Sequence, residues 1–151
     1  MFEFTELDYQ ETPLGAISLR RRSEPRLGGK VLYEVKLDDE FLMSSLFVEA
    51  EEELAALTLQ SLNGEELDVV VGGLGLGYTA AKVLENETVR SLLVIETMAP
   101  VISWHRLGLV PLGHKLALDS RCSLVHGDFF KLAASSGGFD PDNPGLSLIH
   151  I

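Results

Sequence analysis

The residues best suited to bind a ligand form a glycine-rich turn, Val71-Gly72-Gly73-Leu74-Gly75-Leu76-Gly77. The turn follows a short apolar run typical of a buried strand and precedes a segment typical of a helix. Glycine lets the backbone turn sharply and lets a ligand approach the main chain closely. The free N–H groups at the start of the helix would then face an electron-rich group of that ligand. The pattern predicts a binding turn that contains Gly73, Gly75 and Gly77, and a tight packing turn is the alternative interpretation.

Two carboxylates follow the next two predicted strands. Glu96 ends the strand Leu92–Ile95, about 20 residues beyond the glycine turn, where an acid can accept hydrogen bonds from both hydroxyl groups of a ribose. Gly127-Asp128 follows the strand Ser123–Val125, and a carboxylate at this edge can accept a hydrogen bond from an adenine amino group. Each acid taken singly is typical of a solvated strand end or a helix cap. The glycine turn, Glu96 and Asp128 in this order predict a nucleoside site.

The spacing of the glycines decides which class of nucleoside ligand is expected. A dinucleotide fingerprint needs G-x-G-x-x-G, but Tyr78 occupies the position of its third glycine. The chain also lacks the Gly-Lys-Ser or Gly-Lys-Thr sequence of a nucleoside-triphosphate loop. The sequence therefore disfavours pyrophosphate binding and favours a nucleoside without phosphate.

Strands and helices alternate in the part of the chain that carries these residues, from 46 to 151. A helix over Phe47–Leu62 is predicted first, with Leu57 on its apolar stripe. Three strands follow, each with a helix after it. The strands are Asp68–Val71, Leu92–Ile95 and Ser123–Val125, and the helices after them are Tyr78–Leu84, Met98–Leu107 and Phe129–Ala134, respectively. This order predicts an α/β domain with a Rossmann-like, doubly wound parallel sheet.

Residues 1–45 are predicted to form a small N-terminal antiparallel β element of two to four strands. Ala16–Arg22 and Val31–Leu37 have the patterns of strands, Asp38-Asp39 is a turn, and Glu40–Met43 is the returning strand. The run Arg20–Arg22 is interpreted as a solvated strand edge that deters edge pairing, and a subunit contact in a homodimer is the alternative.

The charge and composition of the chain exclude several partners. Its 23 acidic and 12 basic residues give a formal net charge of −11, which repels the phosphates of nucleic acids and anionic lipids. The N-terminus lacks the features of a signal peptide, and no apolar run is long enough to span a membrane. The sequence therefore predicts a soluble, cytoplasmic protein that binds a small molecule, with no nucleic-acid or membrane partner.

Histidine and cysteine positions do not indicate further chemistry. The one cysteine, Cys122, excludes an intrachain disulfide and is interpreted as a small buried residue rather than a nucleophile. His114 and His126 lack partners at metal-ligand spacing, so no metal site is predicted. His105, next to Trp104 on a predicted helix, is interpreted as a packed residue, with a general base as the alternative.

The segments that carry the glycine turn and the two acids resemble the class I S-adenosylmethionine-dependent methyltransferase fold, and within it the spermidine synthases. Those enzymes carry a small β domain before the nucleoside-binding sheet and a Gly-Gly-rich first turn, matched here by Gly72-Gly73. They also carry a Val-x-Gly-Asp segment near the third strand, matched here by Val125-His126-Gly127-Asp128. The resemblance covers most of the chain, from Leu7 to Ala134.

This resemblance implies a transferase of polyamine biosynthesis. Spermidine synthases move an aminopropyl group from decarboxylated S-adenosylmethionine, a co-substrate, to putrescine, so a small-molecule amine such as putrescine is the implied acceptor. The resemblance places Glu96 at the ribose, Gly127-Asp128 at the adenine, and Gly73, Gly75 and Gly77 under the sulfonium side chain. An S-adenosylmethionine-dependent methyltransferase and a non-catalytic nucleoside-binding or dimerisation module are the alternatives.

The sequence also departs from the family. Gly75 stands where spermidine synthases have an acid near the amine end of the donor, which favours the methyltransferase alternative. The residues Phe41–Glu53 lack the Gln and the Tyr-His-Glu sequence that the family has there.

The last residues of the sequence bear on where the next strand of the parallel sheet is expected. The family's catalytic aspartate follows the next strand of the sheet, and Pro141 and Pro144 exclude a central strand at their positions. That strand is therefore expected beyond the end of the chain, which leaves a parallel sheet of three strands in a domain incomplete at its C-terminus. Leu146–Ile151 is interpreted as foreign sequence, and no catalytic residue is predicted.

Overall fold

The computed structural model describes residues 3–140, 142 and 147–150. The chain divides into two compact units, Met1–Val48 and Glu49–Ile151. The first unit is an antiparallel sheet in the order β1-β2-β3-β4. Its strands are β1 (Phe4–Thr12), β2 (Gly15–Glu24), β3 (Lys30–Leu37) and β4 (Glu40–Ser44). The predicted N-terminal antiparallel element is thereby confirmed. It has four strands, the upper limit of the predicted two to four.

The arginine run lies in the interior of this sheet. Strand β2 pairs with β1 on one side and with β3 on the other, so the predicted position at a solvated strand edge is wrong. Because side chains alternate along a strand, Arg20 and Arg22 share a face with Glu34 while Arg21 lies on the opposite face. The Glu34 carboxylate accepts hydrogen bonds from Arg20 Nε at 2.6 Å and from Arg22 Nε at 2.9 Å. This pairing satisfies both oxygens of a residue that is 3% exposed.

The second unit alternates parallel strands with helices. Its sheet has the order β7-β6-β5-β8, with the strands β5 (Leu67–Gly72), β6 (Val89–Glu96), β7 (Cys122–His126) and β8 (Ser147–His150). The helices are α1 (Glu49–Ser61), α2 (Tyr78–Leu84), α3 (Ala99–Arg106), α4 (Gly113–Leu118) and α5 (Phe129–Ala134). This architecture confirms the predicted α/β class with a Rossmann-like parallel sheet.

Strand β5 lies inside the sheet, and the side chains of Val69, Val70 and Val71 have no exposed surface. A parallel strand that is buried in this way reads as a continuous apolar run, which is why its position is visible in the sequence. The carboxyl ends of β5, β6 and β7 are level, since Gly72 lies opposite Ile95 and Glu96 lies opposite His126. The loops that follow these three strands therefore meet at one edge.

Strand β8 corrects the predicted strand number. It pairs in parallel with β5, from Val69 opposite Ser147 to Gly72 opposite His150. The described part of the parallel sheet thus has four strands rather than three, and the strand beside β5 lies within the chain rather than beyond it. Pro141 and Pro144, where the sequence excludes a central strand, lie outside the described residues. An interior strand such as β5 needs partners for its backbone groups on both sides.

Two helices differ from their predictions. In α1, Ala55 and Leu59 are buried, but Leu57 is 61% exposed, so its predicted place on the apolar stripe is wrong. Helix α4 was not predicted. None of the helices in the described ranges is both long enough and apolar enough to cross a membrane.

Candidate functional site

A cavity of about 250 Å³ lies at the carboxyl ends of β5, β6 and β7. Its lining comes from the end of β5, the end of β6 and the start of α5 with its N-cap: Gly72, Gly73, Ile95, Glu96, Thr97, Asp128, Phe129 and Phe130. Ligands of open α/β sheets bind in such a crevice outside the carboxyl ends of the strands. The cavity is therefore the candidate functional site.

Gly73 contributes the backbone of the glycine turn to this cavity. Its N–H donates a hydrogen bond to the Ile95 carbonyl oxygen at 2.8 Å, which extends the pairing of β5 and β6 by one residue. Its φ of +97° lies in the region that favours glycine, and a Cβ atom added there would meet no atom within 4 Å. The turn is thus open on this side, where a ligand could approach the main chain.

Gly77 closes the same turn and makes a packing contact. It caps α2 with a φ of +89°, and its N–H donates to the Leu74 carbonyl oxygen at 2.8 Å. A Cβ atom on Gly77 would lie 2.5 Å from Leu116 Cδ1 and 3.0 Å from His105 Nε2. The absence of a side chain therefore lets α3 and α4 pack closely against the turn, and Gly77 is not among the residues that line the cavity.

Glu96 connects three loops at the edge of the sheet. Its Oε2 accepts hydrogen bonds from Leu74 N at 2.8 Å and from Gly75 N at 3.4 Å, while its Oε1 accepts one from Met98 N at 2.9 Å. Its carbonyl oxygen accepts a hydrogen bond from Gly127 N at 3.0 Å. A carboxylate has about four acceptor positions, of which these backbone groups use three, so Glu96 retains capacity for about one hydroxyl group of a ligand.

Asp128 supplies the second carboxylate of the cavity. It is the N-cap of α5, and its Oδ1 accepts a hydrogen bond from Lys131 N at 3.0 Å. The ammonium group of Lys131 lies 4.0 Å from Oδ2 on a side chain that is 86% exposed, so this ion pair is weak. The remaining acceptor capacity of Asp128 suits a hydrogen-bond donor such as an amino group.

Five lining residues were not predicted as site residues, namely Gly72, Ile95, Thr97, Phe129 and Phe130. Phe129 is 9% exposed and packs with Val70 and Ile95, whereas Phe130 is 67% exposed. The two rings stand at 89° with their centroids 5.5 Å apart. An aromatic pair directly after the Gly-Asp segment was the sequence signal that could have found them, because aromatic faces offer apolar surface to a planar ligand.

The structure brings Gly73, Glu96 and Asp128 to one cavity. Gly75 lies next to it, through its hydrogen bond to Glu96, and Gly77 and Gly127 position the adjoining loops. The six predicted positions thus divide into three that line the cavity and three that shape its walls. Their roles toward a nucleoside remain predictions.

His105 is fully buried on α3 and is not among the lining residues. Its Nδ1–H donates to the Val101 carbonyl oxygen at 2.9 Å, and its Nε2 has no hydrogen-bond partner among the described residues. Burial lowers the pKa of His105, and the hydrogen bond to the Val101 carbonyl opposes this effect only in part. A neutral, buried imidazole is a packed residue in this structure rather than a base that faces the cavity.

The lowered pKa of His105 predicts a pH-dependent stability. Below pH 6.5 the unfolded chain protonates this histidine while the folded chain resists protonation, so the free energy of unfolding falls as the pH falls. The contribution is at most about 1.4 kcal/mol per pH unit. Urea unfolding at pH 7.5 and 5.5, followed by Trp104 fluorescence, should show a smaller loss for His105→Phe than for the wild-type protein. An equal loss in both proteins would contradict the prediction.

Cys122 and the metal-binding residue types do not add a second site. Burial raises the pKa of the Cys122 thiol to about 11, so the thiol stays protonated at neutral pH and is a poor nucleophile. Across the described residues, no three or more His, Cys, Asp or Glu side chains lie close enough together to hold a metal ion.

Comparisons with known proteins give matches in structure. Neither a protein-family model nor a curated protein sequence matches the chain. A crystal structure of spermidine synthase in complex with the transition-state analogue AdoDATO matches with a TM-score of 0.63 and 21% sequence identity, over 81% of this chain. A crystal structure of spermidine synthase from Thermotoga maritima matches with a TM-score of 0.66 and 20% identity, over 83% of this chain.

These similarities confirm, at the level of the fold, the resemblance to spermidine synthases that the sequence motifs indicated. The chain spans 39% and 42% of the lengths of the two spermidine synthases.

Proposed function

We propose that the protein is a spermidine synthase-like transferase that binds an S-adenosyl donor in the cavity at the strand ends. The donor is decarboxylated S-adenosylmethionine or S-adenosylmethionine, and the acceptor is an amine such as putrescine. The observation that carries the proposal is the placement of Glu96, Asp128 and the open side of Gly73 around one cavity. The fold similarity to a spermidine synthase crystallised with AdoDATO supports it.

Each wall of the cavity suits one part of such a donor. Glu96 accepts a hydrogen bond from a ribose hydroxyl group, Asp128 accepts one from the adenine amino group, and the exposed ring of Phe130 offers apolar surface to the base. The cavity has two lining carboxylates and no lysine or arginine among the lining residues that the structure describes, which suits a ligand that carries a positive sulfonium.

The transfer reaction needs little covalent chemistry from the protein. The amine nitrogen attacks the carbon next to the sulfonium; a C–N bond forms, the C–S bond breaks, and a neutral thioether leaves with the sulfur. The proton lost by the amine needs an acceptor, and we assign no described residue to this role. The contribution of this chain is to hold the donor so that the carbon faces the amine.

One observation favours a methyltransferase as the second candidate. Gly75 has no side chain, so the turn offers no acid to the ammonium end of a decarboxylated donor at the position where spermidine synthases have one. Calorimetric titration of the folded protein with both donors separates the candidates. Tighter binding of the decarboxylated donor supports the aminopropyl transferase, tighter binding of S-adenosylmethionine supports the methyltransferase, and binding of neither rejects a donor site in this chain.

A substitution at Asp128 tests the cavity itself. Asp128→Asn keeps an oxygen that can cap α5 but removes the charge, and we expect it to weaken donor binding about tenfold, the loss of one charge-assisted hydrogen bond. Asp119→Asn is the matched control, since Asp119 bonds to Arg121 and does not line the cavity. Calorimetry with the tighter-binding donor measures both variants, and equal affinities in the two variants would argue against a ligand at Asp128.

A further inference from the structure

The carboxylate of Glu96 accepts hydrogen bonds from backbone amides of the glycine turn. Its Oε2 accepts from Leu74 N at 2.8 Å and from Gly75 N at 3.4 Å, two successive residues of the turn. Successive backbone N–H groups that point to one place form a concave site for an anion. In phosphate-binding turns the ligand supplies that anion, whereas here a side chain of the protein supplies it.

Several contacts hold the carboxylate in this position. Its second oxygen accepts from Met98 N at 2.9 Å, and the preceding residue, Ile95, accepts from Gly73 N at 2.8 Å, so the strand end and the turn are joined at two points. No lysine, arginine or histidine side chain in the described ranges lies within 4.0 Å of the Glu96 carboxylate to form an ion pair. Its negative charge therefore faces the turn and the cavity without a neutralising partner.

We propose that Glu96 is a specificity-determining residue that excludes phosphate-bearing nucleotides from the cavity. A phosphate at the glycine turn would have to displace the carboxylate from the amides of Leu74 and Gly75, and it would meet a like charge. The same residue bonds to the ribose under the proposed function, on which this inference rests for the nucleoside part of the ligand. Glu96 thus selects for the sugar and against the phosphate, which is the same preference that the glycine spacing predicts.

A matched pair of ligands isolates the phosphate. Adenosine and adenosine 5′-diphosphate are titrated by calorimetry without divalent cations, and the ratio of their dissociation constants is compared between proteins. Loss of a ribose contact weakens both ligands and cancels in this ratio. We expect the wild-type protein to prefer adenosine, and Glu96→Gln to shift the ratio toward the diphosphate by about tenfold or more, since the substitution keeps the shape and removes the charge.

Asp128→Asn is the control for charge in general, because it also removes one carboxylate of the cavity, but one that accepts its hydrogen bond from Lys131 N and not from the amides of Leu74 and Gly75. We expect its shift in the ratio to be clearly smaller than that of Glu96→Gln. Equal shifts, or no shift in Glu96→Gln, would overturn the proposal.

A second measurement does not depend on nucleoside binding. The backbone amide resonances of Leu74 and Gly75 are followed by NMR while inorganic pyrophosphate is added to the wild-type protein, to Glu96→Gln and to Glu96→Ala. We expect pyrophosphate to shift these resonances in Glu96→Ala more than in Glu96→Gln, and not in the wild-type protein. If the wild-type protein binds no nucleoside, the proposed function fails, but this titration still decides the role of Glu96. If pyrophosphate shifts the amide resonances of Leu74 and Gly75 in neither variant, that role is overturned.

Discussion

Gly77→Ala is expected to lower the free energy of unfolding by about 2–5 kcal/mol. A residue with a side chain at a φ of +89° costs roughly 1–2 kcal/mol, and the added methyl group would overlap Leu116 and crowd the ring of His105, which adds about 1–3 kcal/mol. Urea unfolding followed by the fluorescence of the buried Trp104, the one tryptophan of the chain, measures this loss.

Gly73→Ala is the matched control in the same turn. Its φ of +97° carries a similar conformational cost, but the methyl group would meet no atom within 4 Å, so we expect a loss of only about 1–2 kcal/mol. Because Gly73 lines the cavity, Gly73→Ala should weaken donor binding although it destabilises the protein less. Equal losses of stability in the two variants would contradict the packing role of Gly77.

In the first unit, we expect the largest loss of stability on substitution of Glu34. Glu34→Ala removes the shared acceptor of Arg20 and Arg22 inside a four-stranded sheet and leaves two charged groups without it. We expect a loss of about 2–3 kcal/mol, less than the roughly 3–5 kcal/mol of a fully buried ion pair, because the arginine side chains are 21% and 20% exposed. Amide hydrogen exchange in β2 and β3 measures the change in this sheet alone.

Glu24→Gln provides the comparison for this prediction. Glu24 also pairs with Arg22, at 2.7 Å, but its side chain is more exposed than that of Glu34, and water screens the interaction. We therefore expect it to change the exchange of β2 and β3 far less than Glu34→Ala does. If Glu24→Gln loses as much protection from exchange as Glu34→Ala does, the more exposed pair of Arg22 with Glu24, rather than the buried pairing at Glu34, stabilises the sheet.

The sequence places the parts of the candidate site but does not separate their roles. Gly73, Gly75 and Gly77 look equivalent in the motif, yet one lines the cavity, one bonds to Glu96, and one packs against His105 and Leu116. Whether a glycine faces open space or a neighbouring helix depends on residues far away in the chain. Helix α4, which brings Leu116 to the turn, was itself not predicted from the sequence.

Local patterns account for what the sequence by itself determined. Helix α2 begins and ends where predicted, at Tyr78 and Leu84, and the ends of β5 and β6 fall at the glycine turn and at Glu96, because apolar periodicity and glycine act within a few residues. Tertiary structure alone decided the pairing of β8 with β5, the interior position of the Arg20–Arg22 run, and the hydrogen bonding of the Glu96 carboxylate to the glycine turn. Each of these depends on which distant backbone groups become neighbours, and no periodicity within one segment records that choice.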